Sequence, residues 1–367
     1  MDSILDQVLT EKHMSNLADF NPNQTLENIL NILSEREQKI IQMRHGLSSN
    51  DKKTLEDIGK QYNITRERVR QIENTSLKKI INNFDQDYLK KVEDITNAIL
   101  GEHGGMMSEE NLIKELLIVP GDNASNRSAI RFILNELLKH RFHFVKESKK
   151  TNSFWKTPEA SLSFFDEVID KIRNLIEEHN APLPIDELIS KVQKADFYRQ
   201  NDELTDNVVI NFIYITKYLD SNPYDEWGLA DWPSITPHRM NDKIYLVLHK
   251  QKKPMHFTEI ADTINKVGFD NRQAYPATIH NELILDDKYV LIGRGMYALK
   301  DWGYKPGVVS DVIADILKEA GKSLAKQKII DEVLKKRLIK KTTISLALMD
   351  KTRFAKDSNN NYFLKES

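Results

Sequence analysis

The densest hydrogen-bonding chemistry in this 367-residue chain lies in Thr65-Arg66-Glu67-Arg68-Val69-Arg70-Gln71. Arg grips guanine O6 and N7, Glu accepts from cytosine N4, and Gln pairs with adenine. These long polar heads stand at the start of a helical pattern, where a recognition helix enters the major groove. Alternating Arg and Glu is also the usual make-up of a solvated helix face, so the pattern by itself leaves both readings open. Catalytic chemistry is harder to find. GEHGGMM at 101–107 lacks the Lys and the preceding strand of a phosphate loop, and no HExxH is present. Asp122 with Glu147-Ser148-Lys149 superficially matches a nuclease carboxylate–lysine set, but such matches arise by chance in a chain that is 29% charged. His140 and His143 read as surface or packed residues, and the absence of cysteine excludes disulfides and thiolate zinc sites. The expectation is a protein that is not an enzyme and holds no metal or cofactor.

The elements that must position Thr65–Gln71 are legible around it. Ser34 followed by Glu37 is a capping box, with Ile40, Ile41 and Met43 on the apolar side of the helix and Gly46 at its end. Thr54 with Asp57 opens a second helix carrying Leu55 and Ile58 inward. Tyr62-Asn63-Ile64 is a turn, and Thr65 caps a third helix whose inward positions are Val69, Ile72 and Leu77. Two helices joined by a tight turn, the second with apolar i, i+3 spacing, form a helix-turn-helix.

The string TLEDIGKQYNITRERVRQIENTSLKKI resembles region four of the sigma-70 family of bacterial transcription initiation factors, and LSEREQKIIQMRHGL resembles the first half of the same region. The resemblance covers about 50 residues. It implies a domain that reads the promoter −35 element and docks on the β-subunit flap of RNA polymerase. It assigns base reading to Arg66, Glu67 and Gln71, phosphate or regulator contact to Arg68 and Arg70, and backbone contact near Thr54 and Leu55. Lys78 and Lys79 suit phosphates or the helix dipole. Some 32 acidic-leaning residues precede the domain and do not resemble the aromatic-rich helices that melt promoters, so the chain is not expected to act alone as a complete initiation factor.

Charge is distributed unevenly. Residues 33–81 carry 11 basic against 7 acidic side chains, residues 82–304 carry 27 against 35, and residues 305–367 carry 14 against 8. Any phosphate-binding surface is therefore local, because the whole chain at −2 offers no attractive field. No apolar run reaches 18 residues, which argues against a membrane span, and the acidic start lacks a signal peptide pattern. A soluble cytoplasmic, nucleoid-associated protein is expected.

The rest of the chain repeats itself at about 65–72 residues. Ile244, Leu248, Met255 and Ile260 correspond to Ile313, Leu317, Leu324 and Ile329 at an offset of 69. Thr278, Ile279, Leu283, Tyr289, Tyr297 and Leu299 correspond to Thr343, Ile344, Leu348, Phe354, Tyr362 and Leu364 at an offset of 65. Ile172, Ile176, Leu183 and Leu188 match the first set at 72, and a diverged copy spans 92–157 with helices 92–100, 109–117 and 127–138. Each copy reads as three helices followed by a two-stranded ribbon whose last strand carries Trp155, Trp227, Tyr297 or Tyr362, an order that is winged-helix. These aromatics are expected to pack the core.

KPMHFTEIADTINK…YPATIHNELILDDKYVLIGRGMYALKDWGY, within 239–304, resembles the HARE-HTH module, a winged helix found beside nucleic-acid enzymes and in the delta subunit of some bacterial RNA polymerases. Pro276 suits a helix start. Thr278, His280 and Asn281 are expected on the outer side of the third helix, and Arg294 at the tip of a Gly293-Arg294-Gly295 turn, facing either DNA or a protein partner. In the last copy Lys335, Lys336, Arg337, Lys340, Lys341, Lys351 and Arg353 gather within the +6 segment and favour phosphate contact. Asn359-Asn360-Asn361 is the expected wing turn.

The fold expected is mainly α with small β wings. An acidic helical segment at 1–32 leads into a sigma region-4-like helix-turn-helix at 33–82. About four tandem winged helices follow, at 92–157, 162–234, 239–304 and 305–367. The function expected is a sequence-specific, sigma-like transcription factor that binds double-stranded DNA at a −35-like element and contacts core RNA polymerase through the Leu33–Leu47 face. Two alternatives remain: a delta-like polymerase accessory or anti-initiation subunit working by protein contact, and the DNA-recognition part of a restriction or repair system.

Overall fold

The computed structural model describes residues 20–47, 51–84, 86–304, 308–337 and 339–365. Most of the acidic start, residues 1–19, lies outside the described residues; the remainder of it forms α1 (Pro22–Leu30), capped by the Asn21 side chain. The protein is mainly α with small antiparallel β wings. It divides into two compact units, residues 1–220 with 227–230 and residues 221–226 with 231–367.

The helix-turn-helix forms where the capping residues stand. The Ser34 backbone N–H donates to the Glu37 carboxylate at 3.0 Å at the start of α2 (Glu35–His45), and Gly46 ends that helix in the left-handed conformation. Thr54 accepts from the Asp57 N–H at 3.2 Å to open α3 (Leu55–Tyr62). Thr65 accepts from the Arg68 N–H at 3.1 Å to open α4 (Arg66–Asn83). Ile40, Ile58 and Val69 are buried together, with Met43, Leu55, Tyr62, Ile64 and Ile72 around them.

The first repeat is α5 (Gln86–Glu102), β1 (Met106–Ser108), α6 (Glu109–Leu116), α7 (Ala124–Phe132) running into a π-turn at Ile133–Leu137, then β2 (His143–Val145) and β3 (Phe154–Lys156). The two-stranded ribbon expected from sequence is in fact a three-stranded sheet of order β1-β3-β2: the strand with the aromatic lies in the middle and pairs on both edges. The same order recurs twice more: β4 (Leu183–Pro184), β5 (Leu219–Ser221) and β6 (Glu226–Leu229) accompany α8 (Leu162–His179), α9 (Ile185–Lys194), α10 (Asp196–Arg199) and α11 (Asp206–Ile215), and β7 (Met255–His256), β8 (Tyr289–Leu291) and β9 (Met296–Leu299) accompany α12 (Met240–Gln251), α13 (Phe257–Val267) and α14 (Pro276–Leu285). In the last repeat the extra strand shrinks to a single bridge, Leu324 to Tyr362, beside β10 (Phe354–Lys356) and β11 (Tyr362–Leu364). Two or three residues are too few to leave a period-2 signature, which is why the added strand is invisible in sequence.

The apolar periodic positions build the core. All eight residues matched at the offset of 69 are buried, as are Trp155, Trp227, Tyr297 and Tyr362. One hydrophobic cluster runs without a break from Leu26, Leu33, Ile41, Leu47 and Ile80 into Val92, Leu112, Ile133 and Trp155. One side of α2 and the C-terminal part of α4 therefore share a core with the first repeat, while Ile40, Ile58 and Val69 keep a cluster of their own. The second repeat docks on the first as well. Asn211, on α11 (Asp206–Ile215), donates to the His103 carbonyl at 3.0 Å and the Met106 carbonyl at 2.5 Å. Gly104, at φ +77°, lies so close that a Cβ there would sit 2.9 Å from Val208 Cγ1. Six of the ten residues of α11 are buried, Asn211 among them.

Candidate nucleic-acid interface

Three local features present α4 to solvent. Asn63 ends α3 in the left-handed conformation, at φ 53°. The Ile64 N–H then reaches back to the Gly59 carbonyl at 3.0 Å. At Gly59 a Cβ would stand 2.8 Å from the Ile64 carbonyl oxygen, so only glycine allows the turn to close this tightly. Sequence reasoning passed over Gly59; a glycine inside an eight-residue helix was the available signal.

With Val69 buried and Ile72 half-buried, Arg66, Glu67, Arg68, Arg70 and Gln71 are all exposed. Arg70 donates to both Glu67 carboxylate oxygens, at 2.8 and 2.6 Å, and this contact holds the Glu67 carboxyl below the usual carboxylate range. Arg68 donates to the Gln71 amide oxygen at 3.2 Å. The Arg66 side chain is exposed, with no hydrogen bond or ion pair among the described residues. Exposed pairs of this kind are worth little, about 0–1 kcal/mol, so an arriving duplex exchanges them for its own contacts at small cost.

The flanking candidates divide. Thr54 is exposed but spends its hydroxyl on the cap, donating to the Asp57 carboxylate at 2.6 Å; Leu55 turns its side chain inward and offers its first-turn N–H. Lys78 is exposed. Lys79 is already engaged: it donates to Glu37 at 2.6 Å and ties α4 to the cap of α2. The Leu33–Leu47 face is not an open apolar surface. Leu33, Ile40, Ile41 and Leu47 are all buried, three of them in the core shared with the first repeat, leaving Ser34, Glu35, Arg36 and Lys39 exposed.

In the third repeat, Pro276 begins α14 (Pro276–Leu285), and Thr278 and Asn281 are exposed as expected. His280 is not. It is half-buried, its ring centroid 4.7 Å from Phe257 and 6.0 Å from Tyr297, so it packs rather than reads. Arg294 is exposed at the turn, where Gly295 at φ +69° passes against His256.

The basic set of the last repeat does not act together. Arg337 is 5% exposed, donates to the Leu291 carbonyl, and has its pKa lowered by burial. Lys335 pairs with Glu332 at 2.7 Å, Lys336 with Glu319 at 3.0 Å and Arg353 with Asp311 at 2.8 Å. Lys340, Lys341 and Lys351 stay exposed, their ammonium groups unpaired among the described residues. Asn360 takes the left-handed wing turn at φ 67°.

The nuclease-like set is also accounted for by salt bridges. Asp122 is gripped by Arg127, and Glu147 by Lys217. Among the described residues no group of His, Asp and Glu is placed to hold a metal ion, and no helix is long and apolar enough to cross a membrane.

The exposed head of α4 and its caps coincide with a known family. Residues 29–80 match sigma-70, region 4. Over 55 residues the chain is 51% identical to RNA polymerase sigma factor SigA of Microcystis aeruginosa, covering 15% of this chain and 13% of that protein. It is 52% identical over 56 residues to RNA polymerase sigma factor RpoD of Helicobacter pylori, covering 15% and 8%. It is 37% identical over 92 residues to SigA of Clostridium acetobutylicum, covering 21% and 24%. The matched part thus spans a quarter or less of these relatives' length. Every residue to which base reading was assigned, Arg66, Glu67 and Gln71, falls inside the region-4 segment.

Proposed function

We propose that this protein is a sequence-specific DNA-binding transcription factor that reads a −35-like promoter element through Arg66, Glu67 and Gln71 and works with core RNA polymerase on the nucleoid. The observation that carries this is the outward projection of the α4 head from a compact three-helix core, inside a segment matching region 4. Arg68 and Arg70 serve phosphates, with the α3 N-terminus at Thr54 and Leu55 beside them. The downstream repeats are winged helices, of which the last supplies Lys340, Lys341 and Lys351 to phosphates. Arg66→Ala is expected to cost about 1–3 kcal/mol on the best site and to relax preference at one base pair. Loss spread evenly over all sequences, measured by competition binding, counts against base reading.

A second reading, an accessory or anti-initiation protein that works by protein contact, draws on two observations. The apolar side chains of Leu33–Leu47 are covered by the chain's own first repeat. The outer side of α14 presents Tyr275, Thr278, Asn281, Ile284 and Leu285, without a single Lys or Arg. Retention of core polymerase by the full chain, with no footprint on any promoter duplex, favours this reading.

A further inference from the structure

Between the helix-turn-helix and the first repeat lies a cleft of about 760 Å³. His45 and Lys52 line it from one side; Arg127, Arg131, Glu136 and Lys146 line it from the other. We propose that this cleft is a phosphate-binding site, and that its ordinary occupant is the sugar-phosphate backbone of the duplex held by α4.

The side chains are arranged for an anion. Arg127 is fixed by both Glu110 and Asp122, two carboxylates against one guanidinium, so it adds no free positive charge to the cleft. Arg131 is held by Glu109 through Nε alone, at 2.9 Å, so the two terminal nitrogens of its fork form no hydrogen bond among the described residues. A guanidinium anchored at Nε and open at its fork is the geometry that binds phosphate in a bidentate manner. Lys52 and Lys146 are exposed and have no carboxylate partner among the described residues. Two lysines without a carboxylate partner among the described residues and the open fork of the Glu109-paired Arg131 thus converge on one opening from its two sides. Of the two acids lining the cleft, Glu109 is paired with Arg131, and Glu136 lies 3.7 Å from His45 Nδ1.

The duplex is favoured as the source because of where Lys52 sits. It lies two residues before the Thr54 cap of α3, and the first helix of a helix-turn-helix crosses the backbone. A strand passing the free N–H groups of that helix start would continue past Lys52 toward Arg131 and Lys146. This step rests on the DNA-binding reading above; a free phosphate compound has the same chemistry and is the other source.

The test uses the full chain and a Lys52→Gln/Lys146→Gln double variant. Both positions are solvent-exposed and without an ion-pair partner among the described residues, and equal melting temperatures check that folding is intact. One arm measures binding to the best duplex across salt concentrations. The other titrates inorganic phosphate without DNA, read by calorimetry. On duplex, the double variant is expected to lower the log–log salt slope by about 2, roughly one per lysine, with base preference unchanged. An unchanged slope with loss of inorganic phosphate binding also supports the cleft and assigns it to a free phosphate compound. Identical slopes together with identical phosphate titrations overturn it. Arg66→Ala in the same duplex assay keeps the two questions apart: if base preference survives that change, the base-reading assignment fails while the slope still reports on the cleft. If the full chain binds no duplex, the phosphate arm alone decides.

Discussion

The Glu67 carboxylate accepts two hydrogen bonds from the Arg70 guanidinium three residues along the same helix, at 2.6 and 2.8 Å. One residue of this pair is assigned to a base and the other to a phosphate, and each holds the other in place while DNA is absent. Glu67→Ala should relax preference at one base pair, costing about 1–3 kcal/mol on the best site. Arg70→Ala should weaken all sequences alike and lower the salt slope by about 1. Selection from a randomised duplex pool, repeated for each variant, separates the two effects.

Gly59 is where the helix-turn-helix is most intolerant of added atoms, because a Cβ meets backbone, which cannot rotate away. Gly59→Ala is expected to destabilise the domain by about 1–3 kcal/mol through overpacking. Chemical denaturation followed by circular dichroism measures this. An unchanged midpoint would mean that the α3–α4 turn has room to open.

The core shared by the region-4 segment and the first repeat predicts linked unfolding. Ile80, fully buried on α4 in that core, should cost about 2–5 kcal/mol when truncated to Ala. Loss of hydrogen-exchange protection is then expected in α5 and the π-turn as well as in α4. Loss confined to α2–α4 would show that the two parts fold independently.

Glu73 predicts a pH dependence with a definite sign. Its carboxyl lies 3.5 Å from His45 Nε2 and 3.2 Å from Arg44 Nε, and the adjoining His45 ring first, then the Arg44 charge, hold it below the ordinary carboxylate value against the opposing effect of burial. A carboxyl depressed in the fold contributes stability that is present above its unfolded value and lost as pH falls through the folded one. Wild type should therefore melt above Glu73→Gln at pH 7, and the gap should shrink as the pH drops below about 4.5. A constant gap down to pH 3 contradicts this.

Arg337 and Lys341 predict opposite outcomes within one repeat. Arg337→Ala should cost about 1–3 kcal/mol of stability, because it removes a buried side chain and a donor to the Leu291 carbonyl, while leaving the salt slope of DNA binding unchanged. Lys341→Ala should leave the melting temperature unchanged and reduce the slope by about 1. The reverse pattern would return Arg337 to the phosphate surface.

The caps at Ser34, Thr54 and Thr65, the Gly46 stop, the Asn360 turn and the eight repeat-matched core positions are all where local rules and periodicity place them. Those rules act within a few residues, and a side chain repeated at one offset repeats its environment. Which surface each outward residue meets is a different matter. Leu33 and Leu47 read as an apolar face, but the sequence does not say whether a polymerase or the chain's own first repeat covers it. His280, Lys79 and Arg337 carry polar heads suited to DNA, and only the packing of Phe257, Glu37 and the Leu291 strand against them takes them out of reach. The extra short strands, the burial of α11 and the meeting of Lys52 with Arg131 and Lys146 likewise depend on residues dozens of positions apart. The order of residues alone therefore determined the helix ends, the repeat and the head of α4. The tertiary structure decided which charges stay free, because burial and pairing depend on neighbours brought together only when the chain folds.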